Sequence, residues 1–114
     1  MKISDSLNGN VVVITLSGKL MGGDETALFH GTIHEYLNLN KNKIVIYLKD
    51  VPWTNSLGLG MLIGGHAAVA KGEGRLVLAN ITNIENLLAI TRLITVFEVF
   101  DSVDDAITAL TESD

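Results

Sequence analysis

An unbroken hydrophobic run, Ile44 to Leu48, restricts the possible folds of this chain more than any other feature. A strand that is apolar on both faces is typical of a parallel sheet covered on each side by crossover helices. The residues that follow support this interpretation, because a polar Asn55-Ser56 turn leads into an uncharged apolar segment over 57–70. We therefore predict a strand, a turn and a helix over about 57–71 at the centre of an α/β domain.

Strands and helices alternate along the rest of the chain. Val11–Leu16 is rich in β-branched residues and predicts a strand, which residues 2–7 join as a hairpin partner across the Asn8–Asn10 turn. Residues 18–23 form a predicted loop. The later elements are helices that begin near Asp24, Thr82 and Ser102 and strands over 75–79 and 96–100. This alternation predicts right-handed crossovers, a mainly parallel sheet and a single α/β domain over residues 1–114.

Three of the predicted helices begin with capping residues. Asp24 is the expected N-cap of the first helix. Thr82 with Glu85 forms a capping-box pattern, and Ser102 with Asp105 has the same spacing. The positions that we expect to face the core are Phe29, Ile33, Tyr36 and Leu37, then Ile84, Leu87 and Leu88, and finally Val103, Ala106, Ile107 and Leu110.

Composition argues against several classes of function. The chain has 114 residues, of which 47% are hydrophobic and 18% are charged, which suits a compact globule with one core. Its net charge of −5 and the lack of a Lys/Arg cluster argue against nucleic acid and anionic membranes as partners. No cysteine is present for a disulfide or a thiolate site. With no visible signal peptide and no apolar run of about 20 residues, we expect a cytoplasmic protein without direct membrane insertion.

No complete set of catalytic or metal-binding residues is evident in the sequence. His30 and His34 are four residues apart, but the apolar stripe of the first helix leaves them off the core face, so we interpret them as solvent-exposed. His66 has no carboxylate nearby in the sequence and is interpreted as a core or partner-facing residue. A small enzyme or ligand carrier therefore has little support. We expect a protein that is not an enzyme, binds no metal or cofactor and is a monomer when free.

The segment Asn55–Gly60 resembles the signature of STAS domains, the family of bacterial anti-sigma-factor antagonists. The family pattern at this turn is typically Asp-Ser-Ser/Thr/Ala-Gly-Leu-Gly, preceded by an aromatic or apolar residue, here Trp53. Gly18–Leu20, residues 74–80 and Leu93 with residues 96–106 also match, so the resemblance covers nearly the whole chain. It implies a small STAS-like α/β domain with an N-terminal hairpin, followed by alternating helices and mainly parallel strands.

The resemblance also implies a regulatory function in transcription. In that family, the serine directly after the Asp is phosphorylated by a partner that is both kinase and anti-sigma factor, and phosphorylation abolishes their complex. It follows that this chain would be a phosphoprotein with Ser56 as phosphoacceptor, an anti-sigma factor/serine kinase as partner and a phosphatase to reverse the modification. The partner-binding residues that the resemblance implies are Met21, Gly22, Gly23, Asp24, Trp53, Asn55, Leu57, Gly58, Leu59 and Gly60.

Three departures from the family pattern keep a second hypothesis open. Asn55 replaces the Asp, Leu57 replaces a small residue, and Met21 replaces the acidic residue expected after Gly-x-Leu. The alternative is a constitutive STAS subunit of a larger assembly, such as a lipid-transport ATPase complex or a stress-signalling scaffold, with no phosphorylation switch. On this alternative Ser56 is a helix cap. The two glycines of the segment either admit a partner's backbone or pack the helix on the sheet.

Overall fold

The structure is a computed structural model that describes residues 1–92 and 95–112. The strands are β1 (Lys2–Asn8), β2 (Val11–Ser17), β3 (Lys43–Asp50), β4 (Arg75–Ala79) and β5 (Glu98–Phe100). The helices are α1 (Asp24–Asn38), α2 (Ser56–Lys71), α3 (Glu85–Ile90) and α4 (Val103–Glu112). Within the described ranges, no helix is both long enough and apolar enough to cross a bilayer.

The five strands form one sheet in the order β1-β2-β3-β4-β5. β1 is antiparallel to β2, and each of the other neighbouring pairs is parallel. The predicted α/β fold, with its N-terminal hairpin and mainly parallel sheet, is therefore confirmed. β3 lies at the centre, where Ile44, Val45 and Ile46 are fully buried, as expected for a strand that is covered on both faces.

Two apolar layers cover the two faces of the sheet. The larger layer includes Phe29 and Ile33 of α1, Leu62 of α2 and Leu88 of α3. On the other face, α4 packs against valines of β2, β3 and β4. The core-facing positions predicted for α1, α3 and α4 all lie in these layers or pack against them.

Two of the predicted helix caps are wrong. Gly23, with φ 79°, occupies the N-cap position of α1 without a side-chain hydrogen bond, and Asp24 is the first residue of the helix. Asp24 still lies in the first turn, where a carboxylate interacts favourably with the helix dipole. α3 begins at Glu85 with Ile84 as N-cap, and Thr82 lies in the preceding turn. Ile84 is buried in the core, and no side-chain hydrogen bond caps this helix.

The third predicted helix start is confirmed, and the last strand is shorter than expected. The Ser102 Oγ accepts a hydrogen bond of 3.0 Å from the Asp105 N–H at the start of α4. β5 covers only 98–100 of the predicted 96–100, since its pairing with β4 begins at Glu98, and Phe97 just before it is buried in the core. Leu93, which carries part of the family resemblance, lies outside the described residues.

Close packing of α1 on α2 corrects the interpretation of His30. A Cβ atom built on Gly64 would lie 2.9 Å from the His30 ring, and one on Gly65 would lie 2.8 Å from the ring of Phe29. His30 Nε2 lies 3.1 Å from the carbonyl oxygen of Met61, so this histidine joins the two helices and is only partly exposed. His34 is exposed as predicted. In the part of the chain that the structure describes, no group of three His, Asp or Glu residues could hold a metal ion.

Candidate functional site

Asn55 caps α2 and leaves the Ser56 hydroxyl unused. Asn55 has an extended backbone, and its Oδ1 accepts a hydrogen bond of 2.9 Å from the Gly58 N–H. Its carbonyl oxygen accepts a second bond of 2.9 Å, from the Leu59 N–H. Ser56 is the first helical residue and is exposed, and no hydrogen bond to its hydroxyl occurs within residues 1–92 and 95–112. The cap is therefore Asn55, and Ser56 is accessible to another protein.

The start of α2 can accommodate a negative charge. The helix has no acidic residue in its first turn. Since the Gly58 and Leu59 N–H groups bond to Asn55, those of Ser56 and Leu57 are left as the amides without a partner inside the helix. A helix N-terminus of this kind favours anions through its dipole and its free N–H groups. A phosphate on Ser56 would lie at this positive end.

Long-range contacts hold the 18–23 loop against the start of α2. The Leu20 N–H donates to the Trp53 carbonyl at 3.0 Å, and the buried Thr54 hydroxyl donates to the Leu20 carbonyl at 2.9 Å. Gly22, with φ 74°, lies so close to α2 that an added Cβ would be 3.0 Å from the Cβ of Leu57. The structure therefore places the loop beside the start of α2, where the carboxyl ends of the neighbouring parallel strands bring their loops together.

The two glycines of the segment have different surroundings. A Cβ on Gly58 would lie 2.2 Å from the Leu20 carbonyl oxygen and 2.4 Å from the Thr54 Oγ1. Gly58 is therefore required for packing of α2 against the loop. Gly60 is exposed, and an added Cβ there would meet nothing within 4 Å. Packing thus explains Gly58 but gives no internal reason for Gly60.

Three exposed apolar side chains lie on the segments that meet at the start of α2. Met21 is 50% exposed, Trp53 47% and Leu57 67%. We call Met21, Trp53, Ser56, Leu57 and Gly60 together the Ser56 surface. Of the other predicted partner-binding residues, Gly23 and Asp24 are exposed where the loop enters α1, Asn55 is partly buried as the cap, and Gly22, Gly58 and Leu59 are buried.

A groove beside Trp53 was missed by the sequence analysis. It has a volume of about 310 Å³ and is lined by Trp53, Thr54, Asn83, Ile84, Asn86, Leu87 and Ile90, which we call the α3 groove. The outward position of the apolar Ile90 on α3 was the one signal in the sequence that pointed to it. His66 lies elsewhere, partly buried with its ring centroid 5.4 Å from that of Phe97.

Comparison with known proteins identifies the family. The model of the STAS domain family matches residues 2–106. This chain is a member of the STAS domain family. The resemblance inferred from the Asn55–Gly60 segment is thereby confirmed.

Relatives of this STAS domain are anti-sigma factor antagonists by description. Over 98 residues, this chain is 29% identical to a protein from Thermotoga neapolitana that is described as an anti-sigma factor antagonist. The match covers 84% of this chain and 87% of that protein. The crystal structure of one from Thermotoga maritima has a TM-score of 0.85 at 22% identity, covering 96% of this chain and 95% of that one. These likenesses confirm the STAS fold, which this chain shares with proteins described as anti-sigma factor antagonists.

The anti-sigma factor antagonist SpoIIAA has the same fold in two states. Its unphosphorylated form has a TM-score of 0.74 at 16% identity, covering 98% of this chain and 100% of that one. The phosphorylated form of the Bacillus protein has a TM-score of 0.73 at 17% identity, covering 95% of this chain and 98% of that one. At this level of identity the comparison establishes the fold of the STAS domain alone.

Proposed function

We propose that this STAS domain is an anti-sigma-factor antagonist that binds an anti-sigma factor through the Ser56 surface. The observation that carries the proposal is the exposed Ser56 hydroxyl, which has no hydrogen bond within the described residues, on segments that also expose Met21, Trp53 and Leu57. Clustered apolar side chains in solvent, an aromatic one among them, are typical of protein-binding sites. The names of the curated relatives support the choice of partner.

Phosphorylation of Ser56 is the switch in this proposal. The anti-sigma factor acts as a serine kinase that transfers the terminal phosphoryl group of ATP to the Ser56 Oγ, and a phosphatase removes it by hydrolysis. Phosphate adds a charge of about −1.5 to −2 at neutral pH. The N-terminus of α2 stabilises this charge within the fold, while burial of a dianion beside Met21 and Leu57 in a complex would be costly.

The chain itself catalyses nothing in this proposal. It is the substrate of the kinase and of the phosphatase, it needs no metal or cofactor, and it acts in the cytoplasm as a monomer when free. The solved phosphorylated form of SpoIIAA supports the idea that a STAS fold can carry the modification.

A constitutive subunit of a larger assembly is the second candidate, and the exposure of Leu57 favours it. This leucine is 67% exposed directly after Ser56, and a permanent partner would keep it out of water. In that case Ser56 is never modified, and the Ser56 surface is an ordinary contact.

Affinity purification of tagged protein from its native cells, with mass spectrometry, separates the two candidates. We expect an anti-sigma factor to co-purify with the wild type and with Ser56→Ala but not with Ser56→Asp, and phosphate to occur on Ser56 in the unbound fraction. Ser6→Ala is the matched control, because Ser6 is also exposed but lies on the edge strand β1. Equal recovery of a transporter ATPase or scaffold at fixed stoichiometry with all variants, and no phosphate, would establish the constitutive subunit instead.

A further inference from the structure

The α3 groove is uncharged throughout. Its side chains are those of one tryptophan, one threonine, two asparagines and three aliphatic residues. A charged group that entered such a groove would lose hydration without a compensating ion pair. The lining therefore selects an uncharged, mainly apolar occupant.

The walls of the groove are anchored to the rest of the fold. On one side, the Trp53 carbonyl is held by the Leu20 N–H at 3.0 Å. On the other side, the Asn83 amide donates to the Lys49 carbonyl at 3.2 Å, and Leu88 fixes α3 in the core. The groove is thus preformed, so binding would carry little free-energy cost for ordering its walls.

The apolar residues at the rim of the groove are unusually exposed to solvent. Ile90 is 78% exposed, the highest value among the large hydrophobic residues that the structure describes. Trp53, which also lines the groove, is 47% exposed. The Asn86 side chain is also exposed and makes no hydrogen bond within the described residues, so it can bond to the backbone of an incoming segment.

Exposure and position favour a segment of a protein over a small molecule. Sites for small molecules enclose most of the ligand's surface in about 300–1,000 Å³. The volume of about 310 Å³ lies at the lower end of this range, but Ile90 is mostly in solvent, so the groove cannot enclose a ligand in this way. Trp53 belongs to both the groove and the Ser56 surface, so a protein that covers Ser56 and Trp53 extends over the groove.

We propose that the anti-sigma factor inserts an uncharged apolar side chain between Trp53 and Ile90, as a second contact beside Ser56. This inference rests on the proposed function, from which it takes the partner. The groove contact contributes affinity, whereas the Ser56 surface carries the switch. Removal of the Ile90 side chain therefore weakens the complex without preventing phosphorylation-dependent release.

The test is titration calorimetry of purified anti-sigma factor, once identified by co-purification, against the full-length wild type, Ile90→Ser and Leu39→Ser. Leu39 is the matched control because it is 65% exposed and follows α1 at the opposite end of the strands. We expect Ile90→Ser to weaken binding about tenfold or more, as when the burial of one aliphatic side chain is lost, and Leu39→Ser to bind like the wild type. Circular dichroism would verify that both variants are folded.

A second measurement uses the wild type alone. In NMR spectra of protein with labelled isoleucine methyl groups, we expect the Ile90 methyl signals to shift on addition of the anti-sigma factor. Unshifted Ile90 signals, or wild-type affinity of Ile90→Ser, would overturn the groove contact while leaving the proposed function intact. A dimer that Ile90→Ser dissociates without partner, or a small molecule retained in native mass spectra, would also overturn it. If the wild type fails to bind the anti-sigma factor, the proposed function itself fails.

Discussion

Replacement of Gly58 and of Gly60 by alanine should change the stability of the protein in opposite directions. Both glycines lie in the first turns of α2, two residues apart, and alanine is preferred over glycine in a helix by about 1 kcal/mol. Helix propensity alone therefore predicts that both substitutions stabilise the fold. The surroundings of each glycine determine whether its substitution stabilises or destabilises the fold.

At Gly58 the added methyl group has no room. It would lie 2.2 Å from the Leu20 carbonyl oxygen and 2.4 Å from the Thr54 Oγ1, so the loop must move away from α2. Overpacking of this kind costs about 1–3 kcal/mol. The same movement would break the buried hydrogen bond between Thr54 and Leu20, and an unsatisfied buried group costs about 1–3 kcal/mol. We expect a net loss of about 2 kcal/mol or more in the free energy of unfolding.

At Gly60 an added methyl group meets nothing within 4 Å, so the helical preference acts alone. We expect Gly60→Ala to raise the free energy of unfolding by about 0.5–1 kcal/mol. Urea unfolding followed by circular dichroism measures both changes, provided that the m-values agree. The reasoning would be refuted by a Gly58→Ala variant at least as stable as the wild type, since the 18–23 loop would then not be held against α2.

Further substitutions test the cap of α2 and a pH-sensitive contact of α1. Asn55→Ala should lower the free energy of unfolding by about 1 kcal/mol through loss of the side-chain bond to the Gly58 N–H, while Asn55→Asp should retain this bond. Urea midpoints measure both changes, and equal losses in the two variants would contradict the capping role. The Tyr36 hydroxyl donates to the Asp5 carboxylate, and this bond raises the pKa of Tyr36. Because the folded pKa exceeds the unfolded value of about 10, this stabilisation is present below that pH and lost as pH rises through the folded pKa. Tyr36→Phe should therefore flatten the decline in Tm above about pH 10, and an identical decline in the variant would exclude Tyr36 as the titrating group.

Local patterns in the sequence were sufficient for the architecture and for the family. The apolar run over 44–48, the alternation of strand and helix periods and the Asn55–Gly60 segment depend on residues close together in the chain. Periodicity reports which face of an element is buried, so the core positions of α1, α3 and α4 were predictable. The Ser102 cap was also predictable, because its bond to the Asp105 N–H spans three residues.

The tertiary structure alone decided what depends on contacts between distant segments. Thr54 and Leu20 are 34 residues apart, and their approach to α2 leaves no room for a side chain at Gly58, whereas nothing lies close to Gly60. His30 was misinterpreted because its acceptor, Met61, is 31 residues away on another helix. The α3 groove is formed by Trp53 after β3 and by Ile90 on α3, and no local pattern records their approach. Sequence periodicity assigns faces within an element, whereas the meeting of two surfaces is set by the packing of the whole chain.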